Sequence, residues 1–127
     1  MAIRTELTVK LDNTPGALAR VCQALTDEKV NVVALSLDPL GRLRLVPDNP
    51  VHAAGLLRGR GHEVEEGDVL FASLSNRPGG VGSVTRLLSG AGVNVLYAYV
   101  TALTEHDVAA LVVAVDDAQR AAAAAGM

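Results

Sequence analysis

The sequence predicts an α+β fold of two βαββαβ units in tandem, each an antiparallel sheet with helices on one face, the second unit lacking its last strand. The segment LDNTPGALARVCQALTDEKVNVVALSL at 11–37 recurs as LSNRPGGVGSVTRLLSGAGVNVLYAYV at 74–100. Nine of the 27 aligned pairs are identical at an offset of 63 residues, which indicates an internal duplication. Within each copy the apolar residues switch from a period of two to a helical period and back.

The first half has the predicted order strand, helix, strand, strand, helix, strand. Leu7, Val9 and Leu11 alternate with polar residues, as in a half-buried strand. The helix that follows is predicted to start at Pro15, because proline is favoured at the first helical position, and to end near Lys29. The remaining predicted elements are a strand at 33–37, a strand at 42–46, a helix from about 50 to 60 and a short strand at 62–66.

The second half repeats this order up to its last helix. The predicted elements are a strand at 69–74, a helix at 78–91, strands at 95–100 and 109–115, and a helix at 118–125 capped by Asp116 and Asp117. This order is typical of ferredoxin-like units, with boundaries expected at 1–67 and 68–127. Because open sheet edges expose unpaired groups, we expect the 69–74 strand to pair with a strand from the other half or from another chain.

Composition excludes several classes of protein. The net charge is −3 and lysine and arginine form no cluster, which disfavours direct binding of nucleic acid. No apolar run approaches the roughly 18 residues of a membrane span, and the N-terminus MAIRTELTVK has no signal-peptide pattern. The single cysteine, Cys22, excludes an internal disulfide and fits a cytoplasmic location.

No pattern predicts catalysis, a metal site or a cofactor. His52, His62 and His106 have no partners at ligand spacing. The glycine-rich PGGVGS lacks the lysine of a phosphate-binding loop, and Ser83 is not in a nucleophile-elbow motif. We therefore expect a protein that is not an enzyme.

A strand ending at DNTPG or SNRPG, a helix, and then VNV opening a second strand resembles the ACT domain family. The resemblance covers nearly the whole chain as two copies and is most specific at 13–18, 30–32, 76–81 and 93–95. It implies a regulatory protein that binds a small molecule, typically an amino acid, at the interface of two paired units. It also implies a regulated enzyme or regulator as partner.

The duplicated helix starts supply chemistry that suits an amino acid. A helix N-terminus offers unpaired N–H groups to a carboxylate, and asparagine supplies both a donor and an acceptor. In ACT units that bind amino acids, the asparagine before the helix and the one opening the second strand contact the ligand across paired units. The resemblance therefore implies as ligand-binding residues Asn13, Thr14, Pro15, Gly16, Ala17, Leu18, Asn31, Val32, Asn76, Arg77, Gly79, Gly80, Val81, Asn94 and Val95.

Two features qualify this site. Leu11 and Leu74 stand where serine-sensing ACT units have a histidine, which suggests a more apolar pocket. Gly79, Gly80 and Gly82 are predicted in the first turn of a helix, where each costs about 1 kcal/mol relative to alanine, so a close ligand or a close second helix should compensate.

Two alternatives remain open from the residues. Asn-x-Pro-Gly is also a good helix-capping sequence without any ligand. The chain could likewise be an interaction module whose ligand pockets are vestigial.

The three aromatic residues are predicted to gather on one face of the second unit. Because successive strand residues point to opposite faces, Leu70, Leu96 and Val100 are predicted to face the helices. The residues that alternate with them, including the three aromatic residues, are predicted to lie on the helix-free face. An exposed apolar patch usually marks an interface, although the loop at 101–107 could also cover it. The expected contact, in a homodimer or between the two units, is formed by Phe71, Tyr97, Tyr99 and Val112.

Overall fold

The computed structural model describes residues 1–126, which form six strands and four helices. Met127, the last residue of the predicted second domain, lies outside the described residues. The chain divides into two compact units. The first unit is Thr5–Gly67, and the second unit joins Met1–Arg4 to the residues from Asp68 onward.

The first unit contains a βαββαβ arrangement. Its strand β3 pairs antiparallel with both β1 and β2, which gives the order β2-β3-β1. Leucine and valine side chains of β1 and β3 meet those of the two helices in an aliphatic core without aromatic residues. The elements are β1 (Ala2–Lys10), α1 (Ala17–Asp27), β2 (Val32–Leu37), β3 (Arg42–Pro47), α2 (Pro50–Gly59) and the start of β4 (Val64–Ser75).

The second unit repeats this arrangement with smaller side chains. Its strand β6 pairs antiparallel with both β4 and β5. Alanines of the last helix pack on leucine and valine residues of β4 and β6. The elements that follow β4 are α3 (Gly80–Gly90), β5 (Val95–Thr101), β6 (Val108–Val115) and α4 (Ala118–Ala124). The α+β fold of two βαββαβ-like units is therefore confirmed.

The N-terminus supplies the strand that the second half lacks. The first residues of β1, Ala2–Arg4, belong to the second unit, where β1 follows β4 in the strand order and Ile3 packs against the core. The edge was predicted to pair with a strand from the other half or from another chain, and the strand order places β1 there.

Strand β4 differs from the prediction. The two strands predicted at 62–66 and 69–74 are one strand of 12 residues, Val64–Ser75. The domain boundary was predicted between Gly67 and Asp68, but both residues are exposed and lie within the strand. Val64, at the start of β4, packs against the core of the first unit, so this continuous strand contributes to both cores.

Helices α1 and α3 begin two residues later than predicted. Pro15 and Pro78 precede the helices, and the N-cap positions are Gly16 (φ 85°) and Gly79 (φ 90°). These left-handed angles favour glycine, and neither N-cap makes a side-chain hydrogen bond. The duplicated Asn-x-Pro-Gly is therefore not an asparagine cap. In contrast, Asp117 caps α4 as predicted, since its carboxylate accepts from Arg120 N–H at 3.0 Å.

The backbone of β4 explains Gly80. A Cβ added at Gly80 would clash with the Ser75 carbonyl oxygen. The glycine allows α3 to begin against the end of its own strand. The expected compensation for this glycine is therefore a contact with β4, and neither a ligand nor a second helix is needed to explain it.

Strand β5 is more exposed than its pattern predicts. Ala98 and Val100 align with Val113 and Leu111 of the core, as predicted. However, Ala98 is exposed and Val100 is 45% exposed, so neither is covered by the helices as predicted. A bulge between Val95 and Tyr97 interrupts the alternation beside Leu96, which is also exposed.

The predicted aromatic patch is only partly accessible. Phe71, Val112 and Tyr99 align across three strands, which places them on one face as predicted. Val112 is fully buried within the chain and is not exposed as the pattern predicts, and its place in the expected contact stays a prediction. Phe71 is half-buried beneath the Arg4 guanidinium, 5.0 Å from the ring centroid. A role of Phe71, Tyr97 and Tyr99 in a subunit contact stays a prediction.

We expect Gly80→Ala to lower the free energy of unfolding by about 1–3 kcal/mol, the usual cost of overpacking. The added methyl group would meet backbone, which cannot move aside as a flexible side chain can. Gly90→Ala, at the end of the same helix and with no atom within 4 Å of the added Cβ, is the matched control and should be neutral or stabilising. Urea denaturation measures both, and equal stabilities would contradict the close contact.

Candidate functional site

An open groove of about 570 Å³ lies at the start of α1, and we call it the α1 groove. It is bounded by the end of β1, the first turns of α1 and the turn that links β2 to β3. All of these segments belong to the first unit. The groove is lined by Leu11, Asp12, Asn13, Thr14, Gly16, Ala17, Leu18, Ala19, Cys22, Leu37, Asp38, Pro39 and Gly41.

The α1 groove combines an apolar wall with a polar rim. Leu11, Leu18 and Leu37 contribute aliphatic surface, and Leu37 is 45% exposed. Asp12 and Asn13 lie on the rim beside the uncapped start of α1. Such a groove can hold a molecule that has an apolar body and charged groups at one end.

Asp38 is held rigidly at the β2 end of the groove. Its carboxylate accepts hydrogen bonds from Leu40 N–H (2.9 Å), from Arg42 N–H (3.1 Å) and from Arg42 Nε (2.8 Å). Desolvation alone would raise the pKa of Asp38, but the hydrogen bonds from Arg42 and Leu40 outweigh it and hold the pKa below its usual value. Asp38 is therefore an ionised anchor of the turn, most of whose acceptor capacity is already used.

The two asparagines of the first copy lie at opposite ends of α1. Asn13 precedes the helix and is exposed, whereas Asn31 follows it. The 11 residues of α1 span about 16 Å, so a single amino acid cannot reach both within one unit. Asn31 is held at its backbone, where its N–H donates to Asp48 Oδ1 and its carbonyl accepts from Asp48 N–H. Val32 packs into the core.

The corresponding start of α3 is bound by its own loop. Asn76 Nδ2 donates to the carbonyl oxygens of Leu103 and His106, at 2.7 and 2.8 Å, and Asn76 N–H donates to Asp107 O at 2.8 Å. Both amide hydrogens of Asn76 are thus committed. In the same loop, Asp107 lies 4.0 Å from Arg77.

The remaining predicted residues of the second copy are also spread out. Val81 is exposed on the first turn of α3, while Asn94 lies beyond the other end of that helix. Asn94 lines a small cavity of about 100 Å³ together with Asp116, Asp117 and Arg120. The structure therefore places Asn13, Thr14 and Gly16, but not Pro15, along one groove before α1, and it does not gather the predicted residues of the second copy.

Sequence reasoning missed the β2–β3 turn as part of the site. Leu37, Asp38 and Gly41 line the α1 groove, and Gly41 O accepts from Leu11 N–H at 2.7 Å, which joins this turn to the end of β1. The turn signal Asp-Pro-Leu-Gly was visible in the sequence. Its position beside Asn13 follows only from the register that aligns Leu37 with Leu43 and Lys10 with Arg42.

Residues 1–126 contain no group of three or more His, Cys, Asp or Glu side chains that could hold a metal ion. In the same part of the chain, none of the helices has the length and apolar character needed to cross a membrane.

We expect Asn76→Ala to lower the free energy of unfolding by about 1–3 kcal/mol, because two loop carbonyl groups lose their donor. Asn13→Ala is the matched control from the other copy. Its side chain makes no hydrogen bond within residues 1–126, so we expect a change within about 0.5 kcal/mol. Urea denaturation compares the two, and an equal loss in both variants would contradict the asymmetry of the copies.

Comparisons with known proteins agree with this architecture. Residues 1–125 match the family model of an ACT domain pair. The structure of protein BT0572 from Bacteroides thetaiotaomicron has a TM-score of 0.86 and 28% identity, with 96% of this chain and 85% of that chain covered. No curated protein sequence matches the chain.

Aspartate kinase regulatory domains share the fold at lower identity. The regulatory subunit of aspartate kinase from Thermus flavus is 18% identical, with a TM-score of 0.65 and coverage of 98% of this chain and 93% of that one. E. coli aspartokinase III in complex with lysine and aspartate is 18% identical, with a TM-score of 0.60; the match covers 95% of this chain but 31% of that one. With two duplicated units and a family match along almost its whole length, the chain belongs to the ACT domain pair family.

Proposed function

We propose that this protein is a cytoplasmic, non-catalytic regulator that binds an amino acid with an apolar side chain in the α1 groove, between two chains of a homodimer. Residues 1–67 and 68–127 would be its two ACT domains. The observation that carries the proposal is the α1 groove itself, where an uncapped helix start, an unpaired carboxylate and an apolar wall meet.

Each part of a free amino acid has a complement in the α1 groove. The uncapped first turn of α1 suits the ligand carboxylate. Asp12 suits the ammonium group, because it forms no ion pair among residues 1–126, whereas Asp38 is occupied by Arg42. Leu11, Leu18 and Leu37 suit an aliphatic side chain. The leucine at position 11 supports the expectation of a pocket more apolar than a serine site.

A second chain supplies the other asparagine. Strand β2 is at the edge of the strand order, and Leu35 and Leu37 are exposed along it. An open, apolar edge favours pairing with another strand. If two β2 strands pair antiparallel about a twofold axis, Asn31 of one chain lies beside the Leu37 end of the other. The α1 groove of each chain then receives the asparagine that its own helix keeps about 16 Å away.

The structural relatives support regulation by an amino acid. The Thermus flavus protein is a regulatory subunit, and E. coli aspartokinase III was crystallised with lysine and aspartate. By analogy, ligand binding in the α1 groove would favour the paired state of the homodimer. A regulated enzyme or regulator would recognise that state.

The alternative, an interaction module with vestigial pockets, has specific support only in the second copy. There Asn76 is committed to its own loop and Gly80 brings α3 against β4. We propose that the predicted second-copy site, Asn76, Arg77, Gly79, Gly80, Val81, Asn94 and Val95, is inactive and that ligand binding occurs in the first copy.

A thermal-shift panel of the twenty amino acids tests the proposal. An aliphatic amino acid well above its Kd should raise Tm by several degrees, because a ligand that binds only the folded state stabilises it. Leu37→Asp should weaken binding by at least about tenfold, since it places a charge in the apolar wall. Val100→Asp, at the corresponding and equally exposed position of the second copy, is the control and should bind as the native chain does.

Isothermal titration of the best ligand gives the affinities. No shift with any amino acid would favour the interaction module, and an equal loss in both variants would contradict the α1 groove as the site.

A further inference from the structure

A second groove in the first unit, distinct in composition from the α1 groove, carries positive charge. Its volume is about 760 Å³, within the range of small-molecule sites. It lies on the other side of the start of α1, bordered by the end of β1 and the segment that joins α2 to β4. Its polar side chains are Lys10, Arg20, Gln23, Arg60, His62, Asp12 and Glu63.

The cationic side chains of this groove have no internal partners. Within residues 1–126 no ion pair joins Lys10, Arg20 or Arg60 to a carboxylate, although Asp12 and Glu63 line the same groove. The neighbouring Arg58 behaves differently, because it pairs with Glu66 at 3.0 Å and donates to Val64 O. Three cationic side chains that have no carboxylate partner within residues 1–126 therefore line this one groove, in a chain whose net charge is −3.

Arg20 is directed toward the helix start. A Cβ added at Gly16 would lie 3.0 Å from Arg20 Nη1, so this guanidinium nitrogen lies over the N-cap of α1. The N-terminal end of the helix adds partial positive charge at the same place. At the other side of the groove, Arg60 follows the last residue of α2, and His62 is half-buried.

The second copy lacks this charge at the corresponding positions. Ser73 and Ser83 stand where the first copy has Lys10 and Arg20. The arginine of α3, Arg86, donates to Ser83 Oγ at 3.4 Å. The charged groove is therefore a feature of the first copy alone, and the duplicated fold does not require it.

We propose that this groove binds a small molecule that carries phosphate groups. Two planar guanidinium groups and an imidazole donor match the several acceptor oxygens of a phosphate ester or a polyphosphate. The groove has room for more than one phosphate group. The two grooves share Leu11, Asp12 and Ala17 at the start of α1, so the two proposals are separated by their probes.

Calorimetric titration of the full chain with pyrophosphate and with ATP tests the site. The expected result is binding of at least one of them, weakened as NaCl is raised because the contacts are charged. Arg20→Ser/Arg60→Ala should weaken it by at least about tenfold, given the strength of hydrogen bonds between charged groups. Arg58→Ala/Arg86→Ala removes the same charge elsewhere and should change the affinity less than about threefold.

Three results would overturn the proposal. The first is no binding of either probe up to about 1 mM. The second is equal affinity in the native chain and the Arg20/Arg60 variant. The third is an equal loss of affinity in both double variants, because that would indicate an effect of net charge alone. Circular dichroism of each variant establishes that it is folded. The titration contains no amino acid, so a failure to bind pyrophosphate or ATP leaves the α1 groove proposal unaffected. Likewise, a failure of the amino acid panel leaves the phosphate proposal unaffected.

Discussion

The start of α1 is the feature on which the functional interpretation depends. A helix start leaves backbone N–H groups without helical partners, and these groups must find others. Most helices solve this with a side-chain cap, as α2 and α4 do with Asn49 and Asp117. Helix α1 begins instead on a left-handed glycine without a side-chain cap. Its first turn therefore faces a groove with its positive end available to an anion.

In both copies the helix begins on a glycine without a side-chain cap, but the asparagine before the helix has different hydrogen-bond partners in each copy. The loop after the second strand of each copy explains this difference. In the first copy, β2 and β3 are joined by the tight turn at 38–41, which is closed by Asp38 and Arg42. In the second copy, the connection between β5 and β6 runs from 102 to 107, and its carbonyl groups accept both amide hydrogens of Asn76. The longer loop thus provides from within the chain the contacts that a ligand could make in the first copy. Gly80, which stands in place of Ala17, lets α3 begin against the end of β4.

The sequence predicted the fold well, because the duplication and the hydrophobic periods are local signals. It predicted the missing strand of the second unit and its replacement by a strand from the other half or from another chain, since an unpaired edge is unfavourable wherever it occurs. It misplaced the starts of α1 and α3 because Pro15 and Pro78 satisfy the usual rule for a first helical residue, whereas the left-handed angles of Gly16 and Gly79 depend on the preceding loop. It divided β4 into two strands because the boundary between the duplicated halves falls between Gly67 and Asp68, whereas the strand runs through both residues.

The functional site was less predictable, because its parts come from segments that only the register brings together. Asn13 was recognised, but Asp38 and Leu37 enter the α1 groove through the pairing of β2 with β3. Burial of Val112 likewise depends on long-range packing that alternation cannot show. The different states of Asn13 and Asn76 depend on loop conformation, although the two residues occupy equivalent positions in the sequence.

Subunit complementation tests the central claim, that each site combines Asn13 of one chain with Asn31 of another. Chains with Asn13→Ala and chains with Asn31→Ala are each titrated with the ligand and then titrated again after the two have been refolded together. Either variant alone should bind at least about tenfold more weakly than the native chain. The mixture should recover native affinity at about a quarter of its sites, because half of the dimers are mixed and each mixed dimer has one intact site. Native affinity in either variant alone, or no recovery in a mixture that contains mixed dimers, would contradict the account.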